Sequence, residues 1–326
     1  MQKYLRFYWI VLAWSPVMAA ETTSHPDVMA RIVVTANSYY KNVPALTADD
    51  VIVKDGYKPV TIHALVPLRD ARADLEIYVL VDNSSNSEIG QRFMELREFL
   101  ASQPPTTSIG VAYIQDGRLK VAQTPTHDRS RAIEALNPPS GSNPSNPFRP
   151  LAELIEGWRP DSSRHVVLMI SGGVDPGASA ITNESVDTTL DLAQRAGVMV
   201  YCIYHPGAEY PTSGFMALYS GQIQQAHLAT ESGGTAYFQD LGPLPSFGPF
   251  LADIGERLAN QYLVEFETNV ETRGAMHDVS VTSKLRDVHL TAPWRVWVPA
   301  PPALTSDPPT KRPVIAAHKK TRRQAL

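Results

Sequence analysis

The residues of this chain best suited to chemistry are short oxygen donors gathered in one run, Asp82-Asn83-Ser84-Ser85-Asn86. Asp82, Ser84 and Asn86 stand two apart, so an extended loop turns their carboxylate, hydroxyl and amide oxygens to one side. Such a set suits a hard cation, because Mg2+ prefers oxygen ligands in a near-octahedral array and keeps several of its waters. Two other segments share the composition: Ser171 to Gly177, and Pro138 to Pro150 with Ser140, Ser142, Ser145 and Asn146. A simpler reading of the first run is a polar N-terminus for a following helix, capped by Ser85 or Ser87.

Sequence signatures of other chemistries are missing. The chain has no Gly-x-Ser-x-Gly elbow, which leaves an α/β-hydrolase nucleophile unsupported. It has no Gly-x-Gly-x-x-Gly, no phosphate loop ending in Gly-Lys-Ser/Thr and no His-Glu-x-x-His. His205, His227, His277 and His289 are scattered without ligand spacing and read as surface or internally satisfied side chains. Asp82 beside a serine resembles half of a hydrolytic site, with no histidine placed in sequence to complete it.

The elements that must position these loops are buried strands alternating with helices. Leu75 to Val81 is nearly unbroken apolar sequence, as expected of a strand covered on both faces. Ile89, Phe93, Leu96 and Leu100 then follow a helical spacing, and Ser85 with Glu88 could form a capping box. Ile109 to Ile114 and Leu119 to Ala122 flank Asp116-Gly117, a hairpin signal that requires one antiparallel strand. Helices are predicted over Arg129 to Leu136, Leu151 to Trp158, Ser185 to Ala196, Phe215 to Thr230 and Phe250 to Asn260. Val166 to Ile170 and Val198 to Tyr204 are further buried strands, and Thr235 to Gln239 a short one. Together they predict an α/β fold with a doubly wound, mostly parallel sheet. In such a sheet ligands bind at the carboxyl ends of the strands, near the point where strand order reverses. The three oxygen-rich loops all fall there.

The flanks read as β structure. Arg31 to Leu65 contains a hairpin signal in which Val51-Ile52-Val53 meets Pro59 to Ile62 across Asp55-Gly56. Tyr262 to Phe266, Val279 to Thr282 and Val288 to Leu290 form the corresponding C-terminal strands. The predicted organisation is a leader over 1–20, an N-terminal β segment over 28–70 and the α/β domain over 74–260. C-terminal strands that pack with the N-terminal segment follow over 261–298, and a basic tail over 299–326. The tail carries Lys311, Arg312, Lys319, Lys320, Arg322 and Arg323 and no acid past Asp307, and is expected to be disordered. Gly242 to Pro249 reads as a rigid loop that either presents Phe247 to a partner or buries it.

The leader sets the compartment. Lys3 and Arg6, an apolar stretch from Phe7 to Trp14 and Val17-Met18-Ala19 make a signal peptide too short to span a bilayer comfortably. The mature chain is therefore expected to be exported, periplasmic or secreted, with no stable membrane span after cleavage. Its one cysteine, Cys202, lies in an apolar run and is expected to be a buried structural thiol. A net charge of −4 gives no argument for nucleic acid, and none is expected as a partner.

The order of these elements, a buried strand ending in Asp82-Asn83-Ser84-Ser85-Asn86, then a helix, a hairpin and a later strand ending in Ser171-Gly172-Gly173, resembles von Willebrand factor A domains, whose pattern is Asp-x-Ser-x-Ser and then Ser/Thr-Asp-Gly. Further stretches resemble the exported bacterial proteins related to them. These are Leu46 to Val51 with Lys54-Asp55-Gly56, Arg195 to Tyr201, Ser232 to Tyr237 and Leu258 to Tyr262. The resemblance spans about residues 31–298. It implies a Rossmann-like sheet with a metal-ion-dependent adhesion site, here in reduced form. Asn86 stands where the motif has a hydroxyl, and Gly172 where the family has a second carboxylate. Asp175 lies three residues further on and could compensate through a bridging water. The metal ligands implied are Asp82, Ser84, Asn86 and Asp175, and the cofactor is Mg2+ at low affinity, otherwise none.

The function these readings imply is a non-enzymatic interaction or adhesion module that engages another protein or an envelope component. Two alternatives stay open: an exported hydrolase using Asp82, and a structural envelope protein whose loop holds no metal.

Overall fold

A computed structural model describes residues 27–38, 42–84, 87–141, 146–158, 164–172, 184–205, 210–238, 246–269 and 273–300. The leader, most of the basic tail, Ser85, Asn86 and Asp175 lie outside the described residues. The first strand, β1 (Asp27–Ser38), buries Val28, Ala30, Ile32 and Val34 and leaves Met29 and Arg31 exposed. That is the period-two pattern of a strand with one face on a core. β2 (Val51–Asp55) turns at Gly56, whose φ of +57° is the left-handed region open to a residue without Cβ, into β3 (Lys58–Pro59). The hairpin expected at Asp55-Gly56 forms, but it is shorter than expected. Pro59 cannot donate to a ladder, and the next strand, β4 (Ile62–Pro67), leaves β2 and pairs in a different sheet.

The α/β layer starts with β5 (Leu75–Asp82), α1 (Phe93–Ser102), β6 (Thr107–Gln115) and β7 (Arg118–Thr126). It continues through α2 (Arg129–Ala135), α3 (Phe148–Glu156), β8 (Arg164–Ser171) and α4 (Glu184–Ala196). β9 (Val198–Tyr204), α5 (Tyr210–Glu231), β10 (Ala236–Tyr237) and α6 (Gly248–Ala259) complete it. The six strands lie in the order β10-β9-β8-β5-β6-β7, parallel throughout except for β7. This is the doubly wound, mostly parallel sheet expected.

Both faces of the central strands are covered. Ile77, Val79 and Val81 pack with Phe93, Leu96, Leu251 and Ile254 on one side. Tyr78, Leu80, Val167 and Met169 pack with Leu151, Val186 and Leu228 on the other. Double cover is why β5, β8 and β9 read as continuous apolar runs. α3 begins three residues before the expected Leu151: Pro150 sits in its first turn, where no donor is lost. The Asn146 amide oxygen accepts from Phe148 N at 2.8 Å to start it. Phe247 is fully buried in the first of these cores, so it packs against the sheet and is not presented to a partner. Cys202 is buried as expected, and burial pushes its thiol well above the ordinary value, which leaves it protonated.

The chain ends with β11 (Gln261–Asn269), β12 (Ala275–Ser283), β13 (Val288–Thr291) and β14 (Arg295–Val298). They interleave with the N-terminal strands as two four-stranded sheets, β13-β1-β11-β4 and β14-β12-β2-β3. Ile32, Val34, Val51, Val53, Phe266, Val281 and Val298 fill the space between them. β14 escapes sequence reading because it is a four-residue run between Pro293 and Pro299.

Arg164 fastens this sandwich to the central sheet. It is buried, and its guanidinium donates to Ala73 O at 3.1 Å, Leu258 O at 3.0 Å and the Gln261 side chain. Gln261 in turn donates to Thr35 Oγ1 at 3.2 Å, so the network runs from β8 through β11 to β1. Burial pulls the Arg164 guanidinium down to about 10, still protonated at neutral pH. Arg164→Leu leaves these acceptors without a donor and is expected to cost about 3 kcal/mol. Urea unfolding checks this, and a loss within about 0.5 kcal/mol of zero would remove Arg164 as the fastener.

Candidate functional site at the carboxyl edge of the central sheet

The chain leaves β5 toward β6 and returns on the other side as β8, so the strand order reverses at β5. A crevice at such a reversal is where open α/β sheets bind ligands. β5 ends in Asp82 and β8 in Ser171, and the register that pairs Val81 with Ile170 sets these two side by side.

Asp82 is only 4% exposed. Its Oδ1 accepts from the Ser84 backbone N at 3.0 Å and from Ser84 Oγ at 2.7 Å. Its Oδ2 accepts from Ser171 Oγ at 2.8 Å. Among the described residues no lysine, arginine or histidine pairs with it. Burial raises the Asp82 carboxyl above the ordinary carboxylate value, and the hydrogen bonds from Ser84 and Ser171 only partly oppose it.

The neighbouring groups fix the loops around this carboxylate. Asn83 N donates to Ile114 O at 2.9 Å, tying the loop to the end of β6. The Asn83 side chain makes a reciprocal pair with Ser140, donating to its Oγ at 3.2 Å and accepting from its N at 2.9 Å. From α5, the buried Gln225 donates its amide to Ser171 O at 2.7 Å, and His205 N donates to the same carbonyl at 3.0 Å. Gln225 Oε1 has no hydrogen-bond partner among the described residues.

Of the four predicted ligands, Asp82 and Ser84 come together here, while Asn86 and Asp175 lie outside the described residues. Of the middle-loop candidates, Ser140 joins the site through Asn83, Asn146 caps α3, and Ser142 and Ser145 lie outside the described residues. His205 is buried beside the site, where its sequence context gave no such indication. The Ser171 hydroxyl was missed as a partner of Asp82, although Ser171 closes β8 as Asp82 closes β5. No signal marks Gln225, which arrives from a helix far along the chain.

The arrangement is one buried carboxylate between two hydroxyls, with an amide and a second loop behind it. Among the described residues no three or more His, Cys, Asp and Glu side chains converge on one point. Gly172 directly follows Ser171, so no carboxylate enters from that position.

The chain matches no protein-family model and no curated protein. Among solved structures it is similar to the conserved hypothetical protein BatB from Bacteroides thetaiotaomicron, at 12% identity and a TM-score of 0.41 over 57% of this chain and 97% of that one. It is similar to the SpRpn10 VWA domain at 16% identity and a TM-score of 0.35, over 55% of this chain and 94% of that one. Proximal thread matrix protein 1 from the mussel byssus, whose structure has a zinc-occupied MIDAS motif, is 13% identical with a TM-score of 0.43 over 64% of this chain and 50% of that one.

Proposed function

We propose that this is an exported interaction module that engages another protein or an envelope component through the loops at the carboxyl edge of its central sheet, without catalysis. The observation that carries this reading is Asp82: a buried carboxylate at the reversal point of the sheet, with no cationic partner among the described residues. A buried charge without a counter-charge is costly to keep, and a bound cation at that place would offset the cost.

Mg2+ fits the donor set, being hard and content with carboxylate, hydroxyl and water oxygens. Asp82 with the hydroxyls of Ser84 and Ser171 would hold it, and Asn86 and Asp175 would add oxygens from the loops on either side. Bound there, Mg2+ supplies an electrophilic point for a partner's carboxylate. With Gly172 in place of a second acid, affinity for the ion is low.

Export rests on the basic, apolar and small-residue pattern of residues 1–20. Among the described residues no helix is long and apolar enough to cross a membrane. The organisation we propose is leader 1–20, N-terminal β segment 28–70, α/β domain 74–260, C-terminal strands 261–298 and basic tail 299–326.

Capture from envelope extract tests the reading. A partner should be retained by the wild-type chain in Mg2+ and lost in chelator, and Asp82→Ala should lose it in both. Retention that ignores both chelator and the substitution would instead favour a structural component without a bound ion. Turnover of ester, glycoside or peptide substrates that disappears in Asp82→Ala would favour a hydrolase.

A further inference from the structure

The same face of the sheet that ends in Asp82 begins with a second group of polar and aromatic residues that the proposed function does not use. A cleft of about 530 Å3 opens there between β5, β7 and α3, walled by Glu76, Tyr78, Trp158 and Leu154 and floored by Leu119 and Val121. Its shape starts from a glycine: Gly110 on β6 pairs with Tyr78, and a Cβ there would lie 2.4 Å from the Tyr78 ring. The missing side chain lets the phenol ring lie across the neighbouring strand. Trp158, just past the end of α3, meets that ring edge to face at 5.1 Å and 86°. Its other side stacks on His165 at 4.6 Å and 27°.

The indole also anchors a carboxylate. Trp158 Nε1 donates to one Glu76 oxygen, and Ser108 Oγ donates to the other at 3.2 Å. Glu76 is thus held in a single orientation by neutral donors, and among the described residues it makes no ion pair. The second acid at the rim, Glu153, already pairs with Arg149 at 3.4 Å, with both side chains well exposed. Burial, with the Glu76 charge adding to it, pushes the Tyr78 hydroxyl up to about 12, so its ring stays a neutral phenol. Val121 is 42% exposed and leaves the apolar floor open to solvent.

A carboxylate fixed by neutral donors beside an apolar floor attracts a cation through its charge. The apolar floor and the volume exceed what a bare ion needs, and convergent polar groups over an apolar base are the usual form of a small-ligand site. We propose that this cleft binds an organic cation, an alkylammonium or guanidinium group carried on an apolar stem. It is distinct from the Asp82 site, and its test is independent of metal.

Calorimetric titration of the full chain with pentylammonium, pentylguanidinium and the neutral pentanol tests this. An end-blocked lysine peptide distinguishes a basic side chain from a free amine as the source. The cations should bind saturably, and the alcohol at least about tenfold more weakly. Glu76→Gln keeps an acceptor for Trp158 and nearly the same shape, and should weaken the cations by about tenfold or more while leaving the alcohol unchanged. Val121→Arg, on the exposed floor, tethers a guanidinium in the cleft and should block the cations without unfolding the chain. Tighter binding of the lysine peptide than of the small amines assigns a polypeptide side chain, and the reverse assigns a free amine. Equal binding of alcohol and cations, wild-type affinity in Glu76→Gln, or no saturation by about 10 mM overturns the proposal.

Discussion

Asp82→Asn is expected to make the metal-free protein more stable at neutral pH while removing its ability to bind a divalent cation. The substitution keeps the geometry, because the amide oxygen can still accept from the Ser84 N–H and O–H, and Ser171 Oγ can turn to accept from the new NH2. What it removes is a charge that the fold buries without a counter-charge among the described residues. The sign follows from linkage. The Asp82 carboxyl sits above its ordinary value of 3.8 in the folded chain, so between that value and the raised one the native state holds more protons than the unfolded state. Stability contributed by this group is therefore present below the window and is lost as pH rises through it. Above the window the Asn variant should exceed wild type by about 1 kcal/mol in chelator, and the gap should shrink as pH falls. Mg2+ should reverse the order, since a ligand that binds only the native state stabilises it by mass action. Urea unfolding across pH, with and without Mg2+, reads all three. A variant less stable than wild type in chelator at neutral pH would mean that Ser84 and Ser171 fully satisfy the carboxylate, and the ion would lose its motive.

Gly234→Ala should be the most damaging single methyl addition among the described residues. A Cβ on Gly234 would lie 2.0 Å from Val200 O and 2.7 Å from its carbonyl carbon. These are buried backbone atoms of β9, the strand next to the edge strand β10, and they cannot turn aside as a side chain could. The segment also carries the end of α5 into β10, through Gly234 N to Ala229 O at 2.8 Å and Cys202 N to Thr235 O at 3.0 Å. Separating the two backbones would strip β10 from the sheet edge, at a cost of about 3 kcal/mol or more. The adjacent Gly233 has a different reason to be glycine: its φ of +87° is left-handed, and a Cβ there would meet Pro293. Denaturant midpoints should show a larger loss for Gly234→Ala than for any wild-type-like surface change, and a midpoint close to wild type would contradict the close approach.

The Gly233-Gly234 pair illustrates what the sequence made legible. Its place within Ser232 to Tyr237 supported the resemblance, while the separate roles of the two glycines required knowing that β9 passes beneath. The central sheet was readable because double burial writes itself as unbroken apolar runs, as in Leu75 to Val81 and Val198 to Tyr204. The sandwich was harder. β14 is four residues long, and Val60 and Thr61 carry the chain between sheets with no change in composition to mark the crossing. At the site, Asp82 and Ser84 were legible because they sit two apart in one loop. Ser171, Ser140 and Gln225 reach the same point from three other parts of the chain, and only the strand order at β5 brings them there. The absence of a carboxylate at Gly172 was visible in sequence. Its consequence is now physical: Asp82 is buried and held by two hydroxyls and one backbone N–H, with no cationic partner among the described residues.

Calorimetric titration of Mg2+ into the wild-type chain and into Asp82→Asn tests the central claim most directly. Weak, saturable binding to the wild type and none to the variant is the predicted result. No binding to either chain, or equal binding to both, would contradict a cation site at Asp82.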